Sequence, residues 1–287
     1  MNAHNLIALP EGVAGAGLIC WWELKGRTDP ELVADALDSR GLDMTPPGTS
    51  AAESLRQAMQ SAAGPRAARQ HGVICMRRDK FSWFLVERAL IANGDDVSLA
   101  AFARVEVTPD GDDFESYVLR STGDFDLVDA IIVNARSLMA TTASTSISSW
   151  VSAVHRNTFK ATALRSQGGF YYVPPSERDT WQAFWDALHE TTAHRASSID
   201  ALPTEQTIAA IVSSVRREYE TALDELDLDV LNHRTGIQKR VKQSRLERCS
   251  ELQKKLAAYV DIVGGSLSDL SDALATVGAL IAVLPET

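Results

Sequence analysis

The last third of the chain, residues 204–284, carries apolar residues at steps of three and four. One run covers residues 208–230, a second 249–263 and a third 267–284. Steps of three and four return to the same side of an α-helix, so the spacing predicts long helices that each have one apolar face. Such a face needs another helix against it, either from the same chain or from a second copy.

The third run is the most regular, and we predict that it forms an interface between copies of the chain. This arm is expected to be a coiled coil or helical bundle, and the chain a homo-oligomer. The interface residues predicted in this run are Leu267, Leu270, Leu274, Val277 and Ile281.

Residues 72–120 change to strand-like runs that are separated by turn residues. The runs are 72–78, 81–91, 97–107 and 114–120. Asn93-Gly94-Asp95 and Pro109-Asp110-Gly111-Asp112 are turn signals between them. Short turns between successive strands predict an antiparallel meander. Two helices are predicted before it, one from residue 30 to near residue 41 and one from residue 50 to residue 63, and we expect them to cover its apolar face.

The middle of the chain is predicted as helix, hairpin and helix. Strand-like segments 159–165 and 170–173 flank Ser166-Gln167-Gly168-Gly169, a sequence typical of a hairpin turn. The order resembles a winged-helix unit. The predicted fold class is therefore α+β, with an N-terminal antiparallel sheet and helices (1–124), a winged-helix-like middle (125–203) and a C-terminal long-helix or coiled-coil arm (204–287).

Charge in the arm is segregated. Residues 218–229 contain six acidic side chains and no basic one, whereas 234–255 contain eight basic against two acidic. In one interpretation the acidic and basic helices fold back and neutralise each other, within a chain or across a dimer. In the other, the basic helix follows the phosphates of a nucleic acid.

Overall composition narrows the class of protein. The chain of 287 residues is 45% hydrophobic and 23% charged, which are ordinary globular values. A net charge of -10 argues against a surface that binds nucleic acid everywhere, but it leaves room for a local basic patch. Three scattered cysteines and no long uncharged apolar run indicate a cytoplasmic protein with no membrane partner.

Three segments resemble the sequence motifs of known sites, but each lacks a feature that its motif requires. His189 and His194 are five residues apart, whereas a zinc-protease helix needs four. The glycines of residues 12–17 precede a strand instead of linking a strand to a helix, so they predict no phosphate loop. Acidic residues 110–115 lack the glycine and glutamate of a calcium loop. We therefore predict no metal, no cofactor and no catalytic residue.

A candidate nucleic-acid site lies around the predicted hairpin. Basic and aromatic residues alternate between residues 155 and 172 without an acid, which is the combination that nucleic-acid surfaces use. The alternative is that the aromatic residues are core and the basic ones ordinary surface. The predicted site comprises Arg156, Lys160, Arg165 and Tyr171 with the basic helix face of Lys239, Arg240, Lys242, Arg245 and Arg248.

Three features together resemble a family of uncharacterised phage and mobile-element proteins. They are Trp21-Trp22, Pro46-Pro47 and Gly168-Gly169-Phe170-Tyr171-Tyr172-Val173-Pro174, followed by long charged helices. The resemblance implies an accessory protein of the bacterial cytoplasm, and it implies no activity and no catalytic residues.

The leading hypothesis is a non-enzymatic, self-associating interaction or scaffold protein. Two alternatives stay open. One is a nucleic-acid-binding protein that uses the basic hairpin and the basic helix, and the other is a subunit of a larger ATPase-type assembly with protein partners.

Overall fold

The computed structural model describes residues 17–62, 72–77, 82–90, 97–108, 118–123, 125–165, 169–233 and 236–286. The predicted glycine segment 12–16, the turns at 93–95 and 109–112, and the calcium-like segment 110–115 lie outside these residues. The chain divides into two compact units. A bundle unit comprises Met1–Lys25, Ala36–Asp43 and Ser148–Thr287, and a meander unit comprises Gly26–Asp35 and Met44–Ile147.

The meander unit contains the predicted antiparallel sheet. Its strands follow one another in the order β3, β4, β5, β6, as expected for a meander. The strands are β3 (Gly72–Arg77), β4 (Ser82–Leu90), β5 (Val97–Thr108) and β6 (Val118–Gly123). Two short strands, β2 (Arg27–Thr28) and β7 (Thr142–Ala143), form a separate pair.

Two helices lie against this sheet. They are α2 (Ala51–Ala62), which contacts β3 and β4, and α3 (Phe125–Met139), which contacts β6 and packs on α2. The sequence predicted that both covering helices precede the sheet, whereas α3 follows it. The earlier predicted helix is α1 (Pro30–Asp38), where Asp29 Oδ1 accepts from the first backbone N–H groups.

The bundle unit has a second antiparallel sheet, and its strands come from distant parts of the sequence. The strand order is β10, β1, β9, β8. The strands are β1 (Leu18–Glu23), β8 (Thr162–Ala163), β9 (Tyr171–Val173) and β10 (Arg195–Asp200). The predicted hairpin is present as β8 and β9, but β1 pairs with the other edge of β9. The hairpin is therefore part of a sheet instead of a projecting wing, and the middle of the chain shares this sheet with the N-terminal strand.

Helices make up the rest of the bundle unit. The helix α4 (Ser144–Asn157) precedes the hairpin, and a 3₁₀ turn at Pro175–Glu177 leads into α5 (Arg178–Thr191). The predicted apolar face of α5 is buried at Trp181, Phe184, Trp185 and Leu188. The arm consists of α6 (Glu205–Asn232), α7 (Lys239–Ala257), α8 (Val260–Val263), a 3₁₀ turn (Gly264–Leu267) and α9 (Ser268–Val283).

Helix α9 runs parallel to α6 and antiparallel to α7. Arg216 of α6 pairs with Asp269 at the start of α9, and Leu226 lies in one cluster with Val277 and Ile281 further along. A Cβ atom at Gly278 would lie 3.9 Å from the Cys249 Cβ of α7, so α9 and α7 approach closely. The three helices form a bundle within a single chain.

The regular apolar run of α9 is buried inside this bundle. Leu274 is 0% exposed, and it shares a cluster with Val215 and Tyr219 of α6. The five residues predicted to form an interface between copies, Leu267, Leu270, Leu274, Val277 and Ile281, are all buried in one chain. The apolar face is thus covered by helices of the same chain.

The acidic and basic helices pair as the first interpretation of their charge predicted. Asp229, Glu225 and Glu218 of α6 meet Arg245, Arg248 and Lys255 of α7, each with an N–O distance of 2.6 Å. Partners advance in opposite directions along the two helices, which is an antiparallel register. Partly exposed pairs each contribute little stability, so they fix the register more than they stabilise the bundle. The Arg245 contact is a charge contact and not an aligned hydrogen bond.

Candidate functional site

A groove opens between α6, α7 and the segment that follows α4. Its volume is about 680 Å³. The end of α4 and the segment after it contribute residues between 156 and 165, α6 contributes residues between 214 and 225, and α7 contributes residues between 248 and 255. These three stretches are far apart in sequence, so only the fold brings them together.

Charge in this groove opposes the net charge of the chain. Seven basic side chains line it, whereas only three lining side chains, Glu218, Glu225 and Glu251, are acidic. The basic residues are Arg156, Lys160, Arg165, Arg217, Arg248, Lys254 and Lys255. A concave surface lined mainly by one sign of charge concentrates ligands of the opposite sign, so the groove is suited to anions.

Lys255 forms part of the groove and is buried. Its Nζ donates to the Ala161 carbonyl at 2.8 Å and to Glu218 Oε1 at 2.6 Å. Burial lowers the pKa of Lys255, the adjacent Glu218 carboxylate opposes this, and the nearby Arg156 guanidinium lowers the pKa further. Arg156 is therefore close enough for its positive charge to be felt at the buried ammonium.

The backbone at one side of the groove is held by Tyr259. Its hydroxyl donates to the Lys160 carbonyl at 2.7 Å and lies 2.8 Å from Thr162 Oγ1. Lys160 has a φ of 52°, in the left-handed region that residues other than glycine rarely adopt. Its ammonium pairs with Glu177, so Lys160 reaches the groove with its charge already matched.

Two arginines in the groove keep an unmatched charge. Arg156 Nε donates to the Ser152 carbonyl at 3.3 Å, and Arg217 Nη2 donates to the Ala163 carbonyl at 3.2 Å. Within the described part of the chain, neither guanidinium forms an ion pair with a carboxylate, and neither does the Lys254 ammonium. Carbonyls orient the arginines without neutralising them, which leaves charge for an anionic ligand.

Only part of the predicted basic helix face belongs to the groove. Arg248 lines it, whereas Arg245 is paired with Asp229. Lys242 Nζ donates to the Leu284 carbonyl at 2.9 Å and lies 3.6 Å from a Glu286 oxygen. Lys239 and Arg240 are exposed at the start of α7, outside the groove. Of the five basic residues that the sequence grouped on this helix, only Arg248 therefore lines the groove.

The aromatic residues near the groove differ in their exposure. Tyr171 is 8% exposed and stacks on Trp22 with ring centroids 4.7 Å apart, so it has no open face for a nucleic-acid base. Both Tyr171 and Tyr172 are buried because β9 is covered on both sides. Phe170 is 37% exposed, and its ring lies 5.0 Å from the Arg165 Cζ atom.

Histidine 155 lies at the centre of an aromatic cluster beside this region. It is 0% exposed, and its nearest rings are those of Trp22 at 4.3 Å and Phe159 at 5.1 Å. Nδ1 bonds the Val151 carbonyl, so Nδ1 carries the proton, and Nε2 accepts from Trp181 Nε1 at 3.1 Å. Burial lowers the pKa of His155 to about 4, so the imidazole is neutral near pH 7.

Two further histidines and two cysteines of the described residues have structural roles. His189 Nε2 accepts from the Ala196 backbone N–H at 3.0 Å, and His194 Nδ1 accepts from the Lys25 N–H at 3.0 Å. Burial raises the pKa of the Cys20 and Cys249 thiols, which disfavours the nucleophilic thiolate. No group of three potential metal ligands occurs among the residues that the structure describes.

Sequence reasoning missed three groove residues, Arg217, Lys254 and Lys255. Arg217 directly precedes the acidic block of α6, and its phase on the helix places it beside Glu218 and Thr221 on the groove side. Lys254 and Lys255 end the basic run that contained the predicted residues. If α6 and α7 are assumed to pair, helical periodicity places these basic residues on the side of each helix that faces the groove, and this signal could have found them.

Comparison with known proteins places the chain in a family. It belongs to the family of unknown function DUF6744, whose model matches residues 16–286. No curated protein and no solved structure matches the chain. Among the described residues, every helix is too short or too polar to cross a membrane.

Proposed function

We propose that the chain is a non-enzymatic nucleic-acid-binding protein whose groove takes the phosphate backbone of its ligand. The observation that carries the proposal is the convergence of basic side chains from three distant segments on one groove. Arg156, Arg217 and Lys254 supply charge that no carboxylate of the described chain neutralises. Nucleic-acid affinity depends mainly on such contacts between cations and phosphates.

The intramolecular bundle favours the nucleic-acid-binding hypothesis over the self-association hypothesis. Self-association was assigned to the apolar run of α9, and those side chains are covered by α6 and α7. The basic hairpin, in contrast, gains partners from α6 and α7 that strengthen the case for an anionic ligand. We further propose that the protein is an accessory factor of a phage or mobile element, on the sequence resemblance described above.

Binding of a fluorescein-labelled oligonucleotide, followed by fluorescence anisotropy at low salt, tests the proposal. The Arg156→Ala/Arg217→Ala variant is expected to bind at least about a hundredfold more weakly than the natural chain, since it loses two hydrogen bonds to charged groups and each contributes about 1.5–3 kcal/mol. Both side chains bond only carbonyls in the described structure, so the fold should be kept, as thermal unfolding would verify.

The matched control is Lys239→Ala/Arg240→Ala, which removes the same charge from exposed positions outside the groove. This variant should bind nearly as well as the natural chain. Equal losses in both variants, or no binding by the natural chain, would refute the groove as the site.

A further inference from the structure

An indole, a phenyl ring and a guanidinium form a continuous ladder that ends at the groove. Trp21 of β1 and Phe170 have ring centroids 5.4 Å apart at an angle of 45°. The Arg165 guanidinium lies over the Phe170 ring at 5.0 Å, and Arg165 also lines the groove. The ladder thus joins the sheet of the bundle unit to the wall of the anionic-ligand site.

Gly169 allows the guanidinium to take this position. Its φ is +91°, and a Cβ atom there would lie 2.8 Å from Arg165 Nη2. Any side chain at residue 169 would therefore strain the backbone and push Arg165 away from the Phe170 ring. The glycine therefore leaves room for the Arg165 guanidinium over the Phe170 ring.

Exposure distinguishes this ladder from the buried aromatic cluster nearby. Phe170 is 37% exposed and Arg165 is exposed, whereas Tyr171 and Tyr172 are buried in the same hairpin. Burial of an aromatic ring is favourable, and a ring that remains exposed next to a basic groove is what base-stacking sites require. Both aromatic rings and arginine planes serve as stacking surfaces for unpaired bases.

We infer that the ligand of the groove is single-stranded nucleic acid, with a base stacked on the ladder of Arg165, Phe170 and Trp21. The inference rests on the proposed function, because Arg156, Arg217 and Lys254 would hold the phosphates beside the stacked base. A duplex keeps the faces of its bases stacked on one another, so it cannot offer one to the ladder.

Comparison of a dT oligonucleotide with an abasic strand of the same length separates stacking from charge. Both probes have the same phosphates, and only the first has bases. We expect the natural chain to bind the dT strand about tenfold more tightly than the abasic strand, since stacking of one base contributes about 1–3 kcal/mol. A duplex of equal length should bind no better than the abasic strand.

Variants of the ladder should remove this preference, and Phe170→Leu, which changes no residue that lines the groove, should leave the abasic affinity unchanged. Gly169→Ala displaces Arg165 without altering charge, and Phe170→Leu removes the ring while keeping an apolar side chain. Phe170→Tyr keeps the ring and is the matched control, so it should retain the preference. Each variant is compared with the natural chain by its dT-to-abasic affinity ratio.

The outcomes distinguish the two proposals. Equal binding of the dT and abasic strands by the natural chain would overturn the stacking inference and leave the basic groove standing. A preference that survives both Gly169→Ala and Phe170→Leu would overturn the assignment to this ladder. If neither strand binds, the proposed function fails and the inference fails with it.

Discussion

Acidification from pH 7 to pH 4 is expected to remove about 3 kcal/mol of folding free energy through His155 alone. Burial lowers the pKa of this imidazole from 6.5 to about 4 in the folded chain, and each pKa unit corresponds to about 1.4 kcal/mol. The folded state therefore favours the neutral ring. The contribution of His155 to the free energy of unfolding is therefore fully present above pH 6.5. It declines as the pH falls towards 4 and changes little below that.

Substitution by phenylalanine tests this expectation. His155→Phe keeps a ring in the aromatic cluster but loses the bonds to Val151 and Trp181, so it should be about 1–3 kcal/mol less stable at pH 7. Its stability should depend much less on pH between 6.5 and 4, as measured by urea unfolding. His233→Phe, which alters a histidine at the end of α6, should keep the acid dependence. Parallel pH profiles for the natural chain and His155→Phe would contradict the account.

Truncation of Leu274 to alanine is expected to destabilise the bundle by about 2–5 kcal/mol. The side chain is 0% exposed and packs in the cluster that includes Val215 and Tyr219 of α6. Loss of a buried leucine removes its transfer free energy and leaves a cavity, and the range reflects how far the neighbours relax. Urea unfolding followed by far-ultraviolet circular dichroism measures the difference.

Leu280→Ala is the matched control on the same helix. Leu280 is 45% exposed, so its truncation should change the unfolding free energy by less than about 0.5 kcal/mol. The protein concentration is varied in both measurements. If Leu274 packs within one chain, its effect does not depend on concentration, whereas an interface between copies would make stability rise with concentration.

The helices of the arm could be predicted because their signals are local. The apolar spacing predicted a helix over residues 208–230, and α6 covers this run from Glu205 to Asn232, with Thr204 Oγ1 accepting from the Thr207 backbone N–H. One of the two interpretations of the segregated charge was that the acidic and basic helices fold back on each other, and α6 and α7 pair in this way. The choice between pairing in one chain and in two could not be made, because periodicity identifies a buried face and not what covers it.

The sheet of the bundle unit could not be predicted, since its pairings are distant in sequence. Cys20 of β1 lies opposite Ser198 of β10 and Tyr171 of β9, and no short turn signals either pairing. Tyr171 was misjudged for the same reason. A strand that is covered on both sides buries residues that alternation alone would place at the surface.

The groove was predicted in part. The interleaving of basic and aromatic residues singled out Arg156, Lys160 and Arg165 as candidate nucleic-acid contacts, and all three line the groove. It did not find Arg217, because that residue belongs to a helix whose dominant feature is acidic. A site between helices depends on which side of each helix a residue lies on, and a run of charged residues in the sequence does not give this information.

The dependence of oligonucleotide affinity on salt tests the proposed groove most directly. Arg156, Arg217 and Lys254 form no ion pair with the residues that the structure describes, and each should release about 0.7 counterion on meeting a single strand. The logarithm of the affinity should therefore fall with the logarithm of the salt concentration with a slope of about -2. The Arg156→Ala/Arg217→Ala variant should reduce this slope to about -0.7. A flat response in the natural chain, or the same slope in both proteins, would contradict the account.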